Sequence, residues 1–246
     1  MTYCVAMALG DGLVFASDSR TNAGVDHIST YRKMRVWEQT GKRVLVLLSA
    51  GNLAITQAVA AALDRDIRAA EADRNLLQAE DMFSAARLVG QAVRQVHNLD
   101  GEALKETGVE FNISLILGGQ IRGEAPRLFM IYAAGNFIEA TPETPYFQIG
   151  ETKYGKPIVD RVVTVETDLE RAAKCALLSL DSTIRSNMTV GPPIDLLLYR
   201  RDAFRVATHQ LVSDDDPYFN DLRQRWGKGL RDLFQVLPDP PWKLEG

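Results

Sequence analysis

Cysteine is scarce. The 246-residue chain has two, Cys4 and Cys175, too few for a disulfide framework, and a reducing, cytoplasmic setting is the expectation. Histidine is nearly as rare: His27, His97 and His209 stand far apart, and no Cys or His pair has metal-ligand spacing. No metal is expected on that ground, and nothing in the sequence implies an organic cofactor. Positive charge is not in excess either. Lys and Arg number 28 against 32 Asp and Glu, a net charge of -4, which speaks against nucleic acid or an anionic membrane as partner. No apolar run reaches the roughly 18 residues that a membrane-spanning helix needs. A secretory pattern is missing too, because Met1 is followed at once by the strand-like Thr2–Leu9, without a basic region or cleavage site before it.

What is present is a globular composition, 46% hydrophobic. Residues 2–9 and 13–20 are apolar runs around Gly10-Asp11-Gly12, a hairpin signal. A second hairpin spans Tyr31–Gln39 and Arg43–Gly51, and its run Val44–Leu48 is apolar on both faces, so both faces of that sheet should be covered. Residues 52–70 switch to helical composition, and Met82, Ala86, Val89, Val93 and Val96 repeat at helical spacing. Strands follow at Phe111–Gly118, Arg127–Ala134, Phe137–Thr141 and Tyr146–Gly150. A helix runs from Leu169 to Ile184, a strand pair occupies Pro193–Tyr199 and Arg205–Val212, and Phe219 to Leu233 repeats as a last helix. Helices arriving in pairs between antiparallel blocks do not build βαβ units. The expected fold is α+β: a four-layer αββα sandwich, two antiparallel sheets between helix layers. With no repeat or linker, one domain over residues 1–246 is expected, carrying a C-terminal helical extension from about residue 214.

Hairpin register nominates the chemistry. With Gly10-Asp11-Gly12 as a three-residue loop, Leu9 pairs with Leu13, Cys4 with Asp18 and Thr2 with Arg20. Asp18 then neighbours Thr2 diagonally, roughly 7–8 Å away, and a one-residue slip sends it to the other face. In the second hairpin a Thr40-Gly41-Lys42 loop pairs Gln39 with Arg43, Lys33 with Ser49 and Tyr31 with Gly51, which leaves Lys33 and Gly51 on one face. Removal of Met1 is expected because Thr2 is small. It frees an α-amine of ordinary pKa ~7.7–8.0, able to act as base for the threonine's own hydroxyl. Register alone does not bring Thr2 and Lys33 together. If they meet, the Lys33 ammonium would favour the alkoxide, Asp18 close by would hold that lysine, and the Gly51 N–H would suit a developing oxyanion. Each residue also has a plainer reading. Thr after Met is common, Asp at a strand end is usually a turn or salt-bridge residue, and Lys33 could be exposed on an edge strand.

Taken together, Thr2 opening a strand, Val14–Arg20 with its Asp18-Ser19-Arg20, Lys33-Met-Arg-Val and Ser49-Ala-Gly51 resemble proteasome β-type subunits, members of the N-terminal-nucleophile hydrolases. Two segments depart from the usual subunits. Gly150–Pro157 stands where the family has a Gly-Ser-Gly turn, and Ser186–Gly191 replaces an Asp-x-x-Ser-Gly turn, with Asn187 in the place of its Asp. These features and the long C-terminal helix are most similar to the Anbu group of bacterial proteasome-type proteins, and less so to the shorter HslV type.

The resemblance implies a threonine peptidase working through an acyl-enzyme in a ring or a lock-washer or helical homo-oligomer. Thr2 is its nucleophile, Asp18 and Lys33 the charged pair, and Gly51 the oxyanion donor. Asn187 and Glu151 are implied as supporting residues, and Arg20 as a structural tie. Peptides or unfolded proteins are the implied substrates; no motif speaks for or against a regulatory ATPase. The specificity pocket falls on residues 21–30 and the strand around Gly51, where Asn22, Ala23 and Ala50 suggest a small or neutral lining. Two alternatives stay open: an amidohydrolase of non-peptide amides on the same fold, and a catalytically silent assembly subunit, which a retained Met1 would favour.

Overall fold

The computed structural model describes residues 1–22, 28–69 and 75–242. Strands come first: β1 (Tyr3–Leu9), β2 (Gly12–Ser17), β3 (Arg20–Asn22), β4 (Ile28–Thr30), β5 (Met34–Gln39) and β6 (Arg43–Gly51). Helices α1 (Leu53–Ala69) and α2 (Met82–Glu106) precede β7 (Ile113–Ile121), β8 (Arg127–Ile131), β9 (Phe137–Glu139) and β10 (Tyr146–Gly150). Then come α3 (Thr152–Val162), α4 (Leu169–Ser186), β11 (Ile194–Arg200), β12 (Thr208–Val212) and α5 (Pro217–Val236).

The alternation in β1 shows why layers form. Tyr3, Val5, Met7 and Leu9 join one apolar cluster while Cys4 and Ala6 join another, as a strand buried on both faces must arrange. The same split runs through β6, where Leu45 and Leu47 face the helices, and Val44, Val46 and Leu48 face the other sheet. Two five-stranded sheets result, β10-β1-β2-β11-β12 and β5-β6-β7-β8-β9, with β3 and β4 a separate hairpin. All the pairs are antiparallel. Between the sheets lie Leu13, Phe15, Ile116 and Leu197. That layer is tight: a Cβ on Gly118 would stand 2.7 Å from the Phe15 ring. Helices α1 and α2 cover the second sheet, and α3, α4 and the start of α5 cover the first, so the layers are the αββα sandwich the sequence implies.

Aspartates start three of these helices. Asp81, Asp168 and Asp216 each accept a hydrogen bond from the backbone N–H three residues on, at 2.7–2.8 Å, which is N-capping worth about 1 kcal/mol apiece. Past its first turns α5 leaves the body: Phe219 is fully buried and Trp226 half-buried, whereas Leu230, Leu233 and Phe234 are exposed.

Three sequence expectations need correction. The β1–β2 ladder pairs Leu9 with Gly12 and Cys4 with Ser17, one residue off the expected register, because Gly10 and Asp11 alone form the loop. Two-residue hairpin loops match strand twist best, and Gly12, at φ +146°, lies against the Tyr199 carbonyl of β11, where a Cβ has no room. The segment after Gly150 is not a turn but the first stretch of α3. Pro157 and Gly155 hid its helical pattern, and Gly155 is there because a Cβ would meet the Tyr3 hydroxyl at 2.5 Å. The second hairpin keeps its register from Gln39↔Arg43 to Met34↔Leu48. The Ser49 N–H still reaches the Lys33 carbonyl at 3.1 Å, as that pairing requires, but Tyr31 donates its N–H to the Ser19 carbonyl at 2.8 Å instead of facing Gly51.

Candidate active site

The N-terminal residues lie along the inner sheet end between β2 and β10. The Glu151 N–H donates to the Thr2 carbonyl at 2.8 Å, and Gly150, at φ +85°, sits so close to that carbonyl that only glycine fits. Tyr3 anchors the next position. Its hydroxyl donates to Ser179 Oγ at 3.2 Å and accepts from Gln148 Nε2, and burial pushes its pKa far up. Thr2 is therefore fixed by its neighbours on both sides, with 9% of its surface exposed, while Met1 is 62% exposed.

Asp18 reaches this end although the register slipped. Strand β2 stops at Ser17, strict alternation ends with it, and the Asp18 carboxylate turns back to accept the Tyr3 N–H at 3.1 Å and the Gly191 N–H at 3.3 Å. Across the sheet gap, Lys33 Nζ donates to Asp18 Oδ1 at 2.5 Å and to the Arg20 carbonyl at 2.8 Å. The lysine is buried, not an exposed edge residue: 4% of its side chain is accessible and none of the aspartate's. Burial raises the Asp18 carboxyl above its ordinary value, against the opposing pull of the Lys33 ammonium and the two N–H donors.

A cavity of about 890 Å³ opens above this pair, lined by Thr2, Lys33, Gly51 and Glu151. Thr21, Ser29, Tyr31, Ala50, Asn112 and Ser114 also line it, a largely uncharged, hydrogen-bonding wall. Gly51 ends β6 at φ +116°, with the Asn112 carbonyl where a side chain would start, so its backbone is open to the cavity. The α-amine of Met1 is held below its ordinary 8.0, first by burial and then by the Lys33 ammonium, with Asp18 and Glu151 opposing.

Of the residues nominated from sequence, Thr2, Lys33, Gly51 and Glu151 meet at this cavity, with Asp18 directly beneath. Arg20 lies behind it: its guanidinium donates to the Met188 carbonyl at 2.7 Å and packs on Gly191, which has no room for a side chain. Asn187 caps α4, and its Oδ1 accepts from the Thr189 N–H at 3.0 Å and hydroxyl at 2.6 Å. Glu151 precedes α3 and pairs with Lys153 at 3.5 Å. Ala23 and His27 lie outside the described residues. Tyr3 and Gly191 were missed; only the strand-end run Asp18-Ser19-Arg20 hinted that something had to satisfy those groups. Among the described residues no cluster of His, Cys, Asp and Glu could hold a metal ion, and no helix is long and apolar enough to cross a membrane.

Comparison with known proteins identifies the family. The sequence profile described as Proteasome subunit matches residues 2–197. No curated protein gives a match. Among solved structures, Anbu (ancestral beta-subunit) from Yersinia bercovieri is 52% identical over 99% of this chain and 100% of its own, with a TM-score of 0.92. Anbu from Hyphomicrobium sp. strain MC1 is 51% identical over 98% and 100%, at 0.91. The helical assembly of the Anbu complex from Pseudomonas aeruginosa is 50% identical over 98% of both chains, at 0.92. The chain belongs to the proteasome subunit family and, within it, is of the Anbu type.

Proposed function

We propose that the chain is an N-terminal threonine hydrolase that cleaves amide bonds, with peptides as substrates. The observation that carries the reading is the Lys33 ammonium, buried at 2.5 Å from Asp18 on the floor of the cavity that Thr2 lines. Removal of Met1 brings the Thr2 amine into the same electrostatic surroundings. There the amine takes the hydroxyl proton, and Oγ attacks the substrate carbonyl. The oxyanion that forms is met by the Gly51 N–H, and the proton passes to the leaving amine. Water then hydrolyses the ester on Oγ and frees the acid. The helical assembly of the Pseudomonas aeruginosa relative and the exposed apolar end of α5 support a ring or helical homo-oligomer as the working form. Two buried thiols suit a reducing cytoplasm.

Intact mass of the purified chain, with and without a β-lactone, tests the reading. Thr2 Oγ opens the lactone, forming an ester and releasing the ring oxygen as a hydroxyl, so the adduct adds the full reagent mass. The expected result is a chain lacking Met1 that takes one adduct, abolished by Thr2→Ala. A chain that keeps Met1 and takes none is a scaffold, and the reading fails.

A further inference from the structure

Arg32 and Lys33 are consecutive, and each reaches across the gap to a fully buried aspartate of the other sheet. Lys33 meets Asp18; Arg32 meets Asp195. The Arg32 Nε donates to Asp195 Oδ2 at 2.9 Å and a terminal nitrogen donates to Oδ1 at 3.1 Å, the two-pronged geometry that fixes orientation as well as charge. Asp195 lies in β11 opposite Ser17 of β2, the residue before Asp18, so the two ion pairs run side by side between the sheets. From β12, His209 Nε2 closes the cluster 2.6 Å from Asp195 Oδ1.

The connector that bears these residues precedes the regular ladder, and its Lys33 carbonyl also accepts from the Ser49 hydroxyl at 3.3 Å. The β5 ladder begins only at Met34. The main chain before it is tied at its ends, by the Tyr31 N–H on the Ser19 carbonyl at 2.8 Å and the Ser49 N–H on the Lys33 carbonyl at 3.1 Å. Between those ties stands Arg32, its side chain 55% accessible yet forked onto a carboxylate with no accessible surface. A solvated arginine needs no such partner for its own sake, and burying a carboxylate is costly. What the arrangement gains is a fixed Arg32 and with it a fixed origin for the Lys33 side chain. We infer that Asp195, acting through Arg32, is a positioning residue that sets the Lys33 ammonium at the floor of the Thr2 cavity. The inference rests on the role given to Lys33 in the threonine-hydrolase reading.

Three variants test it: Arg32→Leu removes the fork, Asp195→Asn removes the charge, and Arg32→Lys restores a single donor. Acylation of the parent by the β-lactone is resolved into a maximal rate and a half-saturating concentration. The maximal rate is expected to fall about tenfold or more in the first two variants, by analogy with the partners that orient metal-ligating side chains from behind. Half-saturation should hold, with Arg32→Lys in between. The second readout is the nitrogen resonance of the Lys33 ammonium, identified by its absence in Lys33→Arg. It is expected to exchange slowly in the parent and to shift and exchange faster in Arg32→Leu. If Asp195→Asn fails to fold, Arg32→Leu carries the test from its half-exposed position. An unchanged maximal rate in folded Arg32→Leu overturns the inference, as does a lowered rate with an unmoved ammonium signal. If the parent itself takes no adduct, the threonine reading fails, and the ammonium signal alone decides whether Asp195 positions Lys33.

Discussion

Replacing Lys33 with Met probes the charge balance of the site without any turnover. The ammonium and the Asp18 carboxylate are both out of solvent, at 4% and 0%. Deleting one partner of a buried pair costs about 3–5 kcal/mol, against about 0–1 kcal/mol for an exposed pair. Two N–H donors, from Tyr3 and Gly191, remain on the carboxylate, which places the expected loss at the low end, about 3 kcal/mol. For a chain of this size about 2–4 °C of Tm follows each kcal/mol, so melting should fall by about 6–12 °C.

The carboxyl can relieve the strain by taking a proton. Burial already lifts it above its ordinary 3.8, and Lys33 is the largest opposing influence. Without Lys33 the folded value climbs further, and the folded variant binds a proton more tightly than the unfolded chain does. Its stability therefore rises as pH falls through the raised value and levels off near 3.8. The deficit against the parent is full at neutral pH and shrinks on acidification. Thermal unfolding between pH 4 and 8 of the parent, Lys33→Met, Asp18→Asn and the double variant measures this, and the double variant should lose less than the two singles combined. A loss under 1 kcal/mol at pH 7.5, or one that ignores pH, refutes the reasoning.

Gly51→Ala forces a side chain into φ +116° against the Asn112 carbonyl and disturbs the oxyanion donor; lactone acylation should slow by about 10²–10³, and an unaffected rate removes Gly51 from that role. The Thr2 α-amine must be neutral to act as base. The Met1 amine one residue before it is held below its ordinary 8.0 by burial and then by the Lys33 ammonium, influences that also bear on Thr2 once Met1 is removed. Acylation should accordingly rise with pH and reach its plateau before pH 8, and a rising limb centred above that value contradicts the assignment. Phe219→Ala empties the one fully buried position of α5, at about 3–5 kcal/mol. Amide exchange should accelerate along α5 while β6 stays protected, and equal acceleration in both would show that the helix is not a separately held element.

Local signals carried most of the fold. Apolar runs punctuated by Gly10-Asp11-Gly12 and Thr40-Gly41-Lys42 located both hairpins, composition located α1, and helical spacing located α2, α4 and α5. Failures occurred where long-range packing overrides local pattern. Gly12 is drawn into β2 by its fit against Tyr199 of β11, a contact made 187 positions away, and that shifts the first register. Helix α3 contains Pro157 and Gly155, which argue against a helix until Tyr3 is seen lying on Gly155. At the candidate site, Thr2, Asp18 and Lys33 could be nominated because the proposed chemistry needs those residue types. Asp195 was not, since its partner Arg32 and its neighbour Ser17 are joined to it only by sheet order.

The strand order has a consequence for the nascent chain. Strands β1 and β2 are translated first, but their lateral partners β10 and β11 are translated far later. At ribosomal rates of 5–20 residues per second, on the order of ten seconds separates Asp18 from Asp195. Until β10 is made the first hairpin waits with both edges unsheathed, and the β2 edge stays open until β11 follows. Lys33 joins Asp18 in a finished pocket only when the last third of the protein has emerged, so synthesis itself delays the site until the rest of the molecule can enclose it.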